Sequence, residues 1–236
     1  MNWLNTTVRS VKDIWQPLFV VSMLVDLAFL FVLGFLTKPL TDKLVEYAIL
    51  IYQDMAQQKV TLFGSQYVGQ AISVYLVLAI AVFILAALGQ GVAWWLAKGM
   101  TGKGVSIGYV KQFTKLLLPY YLVYCLAYLA NEYFSLRHHV LEQVAKQSLT
   151  NIYSWAYWII IIVLVAFAYA AFVHAKHQSW RHWKRWGVAG LVIAVVALNV
   201  RFVLRLLPPP YYLLLGIPLV LVLLSWHRIA FIRLTS

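Results

Sequence analysis

Long apolar segments alternate with short polar connections along this chain. Six segments of about 20 residues carry few charged side chains, and residues 60–97 contain none. A helix needs about 20 apolar residues to cross a hydrocarbon core about 30 Å thick. The pattern therefore predicts six transmembrane helices, over residues 15–36, 71–97, 113–133, 152–174, 187–207 and 211–232.

The composition indicates the same class of protein. Of the 236 residues, 63% are hydrophobic and 11% are charged, whereas soluble domains average about 25% charged residues. So few charges cannot cover the surface of a soluble domain of this length. We predict an all-α fold, with residues 1–236 forming a single transmembrane helical domain.

The basic residues are distributed unevenly between the predicted connections. In a six-helix topology, one side of the membrane carries 12 of the 19 Lys and Arg residues. The positive-inside rule places that side, and with it both termini, in the cytoplasm. We therefore expect a multi-pass protein of the plasma (inner) membrane, whose net charge of +12 mainly reflects its orientation in the lipid bilayer.

Two polar connections show helical periodicity. In residues 39–57 and 135–147 apolar side chains recur at three- and four-residue spacing, with polar side chains between them. Such helices are amphipathic but too polar to span a bilayer. We predict two interfacial helices on the outer side of the membrane.

One inner connection interleaves cations with tryptophans. Tryptophan prefers the membrane interface, so this segment is expected to anchor the chain there. Contact with anionic lipid head groups or with a partner protein is the alternative, and nucleic acid is not expected as a partner. The residues concerned are Lys176, Trp180, Arg181, Lys184, Arg185 and Trp186.

Asp26 is the only acidic residue well inside a predicted span. A charge at that depth is costly, so the carboxylate must be paired, protonated or in contact with water. Counting residues from the inner ends of the first and fifth spans places Arg201 at a similar depth. We predict an intramembrane charge pair between Asp26 and Arg201, with a proton or ion site as the alternative.

Gly89, Gln90 and Gly91 form a second unusual group, within the second predicted span. Small residues beside a polar amide permit close approach of another helix. The same pattern also occurs where a transporter helix is interrupted to bind substrate. The sequence favours helix packing over a substrate site.

No cofactor or metal is expected. His174 and His227 lie at the inner ends of two spans and are weak candidates for a metal or a haem, whose axial ligands are opposed imidazoles. Enzyme signals are missing as well, because the predicted spans contain neither paired carboxylates nor a serine with a plausible base.

These observations favour a non-enzymatic integral subunit, or an assembly or scaffold protein, of a larger membrane complex with other membrane protein subunits as partners. The alternative is a permease-type transporter subunit, working with a separate ATPase or coupled to protons through Asp26. That alternative rests on chain length and helix number alone. A third possibility is an intramembrane lipid-modifying enzyme.

Overall fold

The computed structural model describes residues 3–58, 64–102, 106–145, 152–174, 183–205 and 211–235. These residues contain no strand, which confirms the all-α prediction for this part of the chain. A 3-10 turn, Asp13–Trp15, joins the first two helices. The described helices are α1 (Trp3–Lys12), α2 (Pro17–Gln58), α3 (Val68–Met100), α4 (Gly108–Ala145), α5 (Ile152–His174), α6 (Trp183–Arg205) and α7 (Tyr211–Thr235).

Five of the described helices, α2, α3, α4, α5 and α7, are long and apolar enough to cross a membrane. Large apolar side chains such as Trp158 and Ile162 are exposed along α5, as expected where a helix meets lipid. In α6 the described apolar stretch, Gly187–Val200, is shorter. The multi-pass membrane class therefore stands, while the sixth span remains a prediction.

The two predicted interfacial helices are not separate elements. Residues 39–57 continue α2, and residues 135–145 continue α4. Pro39 lies inside α2 and does not end it. The exposed Lys38 ammonium lies 3.1 Å from the Asp42 carboxylate one turn later. Such pairs stabilise a helix surface modestly. Both helices therefore continue where their composition changes from apolar to amphipathic. A change in composition alone does not end a helix.

The chain divides into two compact units. Unit 1 comprises Met1–Leu30, Ala86–Leu117 and Val165–Ser236, and unit 2 comprises Phe31–Leu85 and Leu118–Leu164. Helices α2, α3, α4 and α5 contribute residues to both units. The division therefore does not coincide with a boundary between domains along the chain.

Unit 2 contains a reciprocal pair of hydrogen bonds between α3 and α4. The Tyr75 hydroxyl donates to the Cys125 carbonyl at 3.0 Å, and the Tyr121 hydroxyl donates to the Ala79 carbonyl at 2.7 Å. Each helix thus supplies a tyrosine and, one turn further along the chain, a carbonyl. The Tyr75 ring also stacks on Tyr128, with centroids 5.9 Å apart. These contacts hold α3 and α4 in one register.

Unit 1 has a core of small and aromatic side chains. Ala93 and Ala97 in α3, and Ala170 and Ala171 in α5, are completely buried, which permits close approach of the helix backbones. The Trp94 ring lies edge-on to Tyr169, with centroids 5.2 Å apart. The residues from Trp226 to Leu234 in α7 are nearly all buried in this unit. This packing surrounds the polar residues described below.

Candidate functional site

Asp26 and Arg228 form a buried ion pair in unit 1. Both side chains are 1% exposed. The Arg228 Nη1 donates to Asp26 Oδ2 at 2.8 Å, and Nη2 donates to Oδ1, so the contact is bidentate. The Ser225 hydroxyl also donates to Oδ2, at 2.9 Å. The carboxylate of α2 is therefore held by three donors from α7.

Gln90 extends this arrangement to a third helix. Its Oε1 accepts a hydrogen bond from Arg228 Nη2 at 2.8 Å. We call Asp26, Gln90, Ser225 and Arg228 the polar cluster, which joins α2, α3 and α7. A planar guanidinium suits this role because it donates in a fixed fork to a carboxylate and retains donors for an amide oxygen.

Among the described side chains the charged partner of Asp26 is Arg228, whereas the sequence predicts Arg201. The Arg201 side chain lies outside the described residues, so any contact that it makes remains a prediction. Arg228 occupies both carboxylate oxygens of Asp26. From the sequence, Arg228 is expected only to be one of the 12 basic residues on the cytoplasmic side of the membrane. The predicted helix ends concealed this partner. Counted from residues 15 and 232, Asp26 and Arg228 lie 11 and four residues from the inner ends of their spans, a difference of about 10 Å in depth. In the structure Asp26 lies nine residues from the start of α2 and Arg228 seven from the end of α7, a difference of about 3 Å.

The glycines beside Gln90 occupy close helix contacts. A Cβ built on Gly89 would lie 2.7 Å from the Phe29 ring, and one on Gly91 would lie 3.1 Å from Val110. Helix α3 is continuous from Val68 to Met100 and therefore has no interruption at this segment. Of the two interpretations of Gly89, Gln90 and Gly91, the geometry fits close packing around an amide that orients Arg228.

Both ring nitrogens of His227 are engaged. Nδ1 lies 3.2 Å from the Leu223 carbonyl oxygen, which only accepts, so Nδ1 carries a proton. In the neutral ring Nε2 is then the acceptor for the Tyr169 hydroxyl, at 2.6 Å. His227 therefore has no free nitrogen for a metal. His174, the other weak candidate, is exposed at the end of α5.

Two polar atoms near the polar cluster are buried without a hydrogen-bond partner among the described residues. They are Ser22 Oγ and Arg228 Nε. Ser22 lies one turn before Asp26 in α2 and is completely buried. Most buried polar groups in proteins are hydrogen-bonded to protein or to ordered water, and no described residue forms a hydrogen bond with these two atoms.

The basic-aromatic segment falls largely outside the described residues. Lys176, Trp180 and Arg181 are not described, and for Lys184, Arg185 and Trp186 only the helical backbone of α6 is described. Their proposed contacts with anionic lipid or a partner remain predictions.

Among the described residues, five helices long and apolar enough to cross a membrane, together with a buried ion pair, indicate an α-helical membrane protein. Comparison with protein families, curated proteins and solved structures finds no match to this chain.

Proposed function

We propose that this protein is a non-enzymatic integral membrane subunit or scaffold, which packs against other membrane proteins of a larger complex. The observation that carries the proposal is the way Asp26 is held: Arg228 and Ser225 supply three donors to its carboxylate. A general base or proton carrier must exchange its proton with a substrate or with water. Bound in this way, Asp26 joins α2 to α7, and Arg228 extends the contact to α3 through Gln90.

Other polar groups in the helices also form hydrogen bonds within or between helices. The side chains of Thr37, Ser73 and Thr114 donate to carbonyls one turn earlier in their own helices. The hydroxyls of Tyr75 and Tyr121 donate to a neighbouring helix. Hydrogen bonds within and between helices stabilise a membrane bundle, and they leave an apolar lateral surface for lipid or other subunits.

The proposal includes a six-helix topology in which α6 is the sixth span and both termini are cytoplasmic. Its support is the excess of basic residues on the side that carries both termini when α6 is counted as a span. We expect tags at either end to be labelled only after intact cells are permeabilised. Labelling of one terminus from outside would contradict the topology.

A permease subunit is the second candidate, and the unpartnered Ser22 Oγ and Arg228 Nε favour it. Buried polar groups beside a charge pair are where a polar substrate or ion binds in a membrane protein. In this alternative the protein works with a separate ATPase or couples transport to protons through Asp26.

Replacing the ion pair by apolar residues distinguishes the two candidates. The double variant Asp26→Leu/Arg228→Met removes both charges together, so neither is left buried alone. If the protein is a scaffold, the variant inserts, co-purifies in mild detergent with the same membrane proteins as the wild type, and complements deletion of its gene. Normal abundance and partners without complementation would support the permease instead.

The exposed pair Lys38 and Asp42 supplies the matched control. The variant Lys38→Gln/Asp42→Asn also removes one positive and one negative charge, from side chains that are 75% and 64% exposed. It should behave as the wild type in all three measurements. If the apolar double variant loses its partners while this control retains them, the cluster is required for assembly and the permease alternative gains no support.

A further inference from the structure

Helix α1 has the reverse of the amphipathic pattern found on the surface of a soluble protein. Its small polar residue Ser10 is completely buried, while Val8 is 53% exposed and Val11 is 46% exposed. The Trp226 Nε1 of α7 donates to the Ser10 hydroxyl at 3.2 Å. A helix exposed to water would turn its valines toward the protein. The outward face of α1 is therefore suited to an apolar environment.

A second contact fixes α1 at the ends of two apolar helices. Asp13, which directly follows α1, lies 3.0 Å from the Arg233 guanidinium near the end of α7. Gln16 Nε2 also donates to Asp13 Oδ1 at 3.0 Å, immediately before α2 begins. Thus candidate span α2 begins beside α1, and candidate span α7 ends beside it. This position corresponds to the boundary between the hydrocarbon core and water.

Cations accompany the exposed apolar residues on this face. Arg9 and Lys12 are exposed, and neither forms an ion pair with another residue that the structure describes. Asp13, the acid that lies closest to them in the sequence, is paired with Arg233. Trp15, which follows α1 in the 3-10 turn, is 88% exposed. Exposed tryptophan, valine and unpaired cations together are typical of a helix at an anionic membrane surface.

We propose that the outward face of α1, formed by Val8, Arg9, Val11, Lys12 and Trp15, binds the anionic phospholipid surface of the leaflet in which α1 lies. The valines and Trp15 contact the upper acyl chains, and Arg9 and Lys12 bind lipid phosphates. Charge complementarity and the position of α1 beside the span ends support lipid as the occupant. An acidic partner protein would match the cations but would not require the apolar residues at this depth.

The first test measures lipid preference. Full-length protein is reconstituted into nanodiscs containing phosphatidylglycerol and phosphatidylcholine, and the lipids that it retains are counted by native mass spectrometry. A basic residue at an anionic surface contributes about a fivefold preference. We expect the variant Arg9→Gln/Lys12→Gln to lower the preference for phosphatidylglycerol about fivefold or more, with unchanged thermal unfolding because the Ser10 and Asp13 contacts remain.

The control Lys38→Gln/Lys43→Gln removes the same charge from exposed lysines that already pair with carboxylates. It should retain the lipid preference of the wild type. Equal loss in both variants would mean that only net charge matters and would overturn the proposal. An unchanged lipid preference in the Arg9→Gln/Lys12→Gln variant, with or without loss of a co-purifying acidic protein, would also overturn it.

The second test measures the environment of the valines. In a Cys125→Ala background, Val8→Cys is labelled with a polarity-sensitive fluorophore in the same nanodiscs. If this face contacts lipid, the emission of the fluorophore is shifted to the blue. We expect the added changes Arg9→Gln/Lys12→Gln to make this shift smaller. Emission typical of water in bilayers that contain phosphatidylglycerol would show that this face does not contact lipid.

Discussion

Replacing either Asp26 or Arg228 with alanine is expected to lower the free energy of unfolding by about 3–5 kcal/mol. Each replacement leaves the other charge buried and without its counter-ion, since both side chains are 1% exposed. Little water is available to compensate the remaining charge. Chemical unfolding in detergent micelles measures the effect.

A double-mutant cycle tests whether the two charges stabilise the fold as a pair. The cycle compares the single variants Asp26→Leu and Arg228→Met with the double variant Asp26→Leu/Arg228→Met. The double variant should cost much less than the sum of these two single changes, because replacing both charges by apolar groups can be neutral or stabilising. The exposed pair Lys38 and Asp42 should show a coupling energy of at most about 0.5 kcal/mol. Simple additivity for Asp26 and Arg228 would mean that they do not act as a pair.

Gly89→Ala is expected to destabilise the protein by about 1–3 kcal/mol, although alanine is the better helix former. The added Cβ would lie 2.7 Å from Cδ2 of the Phe29 ring and 3.1 Å from the Phe29 Cβ. Because the second atom is next to the α2 backbone, rotating the ring alone cannot relieve the contact. The two helices must separate, which also disturbs the polar cluster that joins them.

Gly34 supplies a control, because replacing it with alanine is expected to raise the stability of the protein rather than lower it. A Cβ at Gly34 would meet nothing within 4 Å, so Gly34→Ala should stabilise the helix by up to about 1 kcal/mol. In a Phe29→Ala background the cost of Gly89→Ala should fall, because the 2.7 Å contact with the ring is removed while the 3.1 Å contact with the Cβ of residue 29 remains. If Gly89→Ala is neutral in the wild type, Gly89 is not a packing residue and the substrate-site interpretation of this segment regains support.

The class of protein and the unusual residues could be read from the sequence. Hydrophobic segments of about 20 residues determine membrane-crossing helices through their length and composition, which are local properties of the chain. Asp26 was identifiable for the same reason, because an acid within such a segment needs compensation wherever its partner lies. Gly89 and Gly91 were identifiable because two small residues flank a polar amide.

Only the tertiary structure showed that Asp26 pairs with Arg228, that His227 contacts Tyr169, and that α1 buries Ser10 while exposing its valines. A helix that is apolar on all sides has no preferred face, so its sequence does not indicate its rotation or its neighbours. Depth also depends on where each helix ends, and α7 continues to Thr235, beyond the predicted end at residue 232. Two residues form an ion pair between helices only if the helices are neighbours, are rotated toward each other and place both residues at the same depth. The packing of the folded chain determines all three conditions.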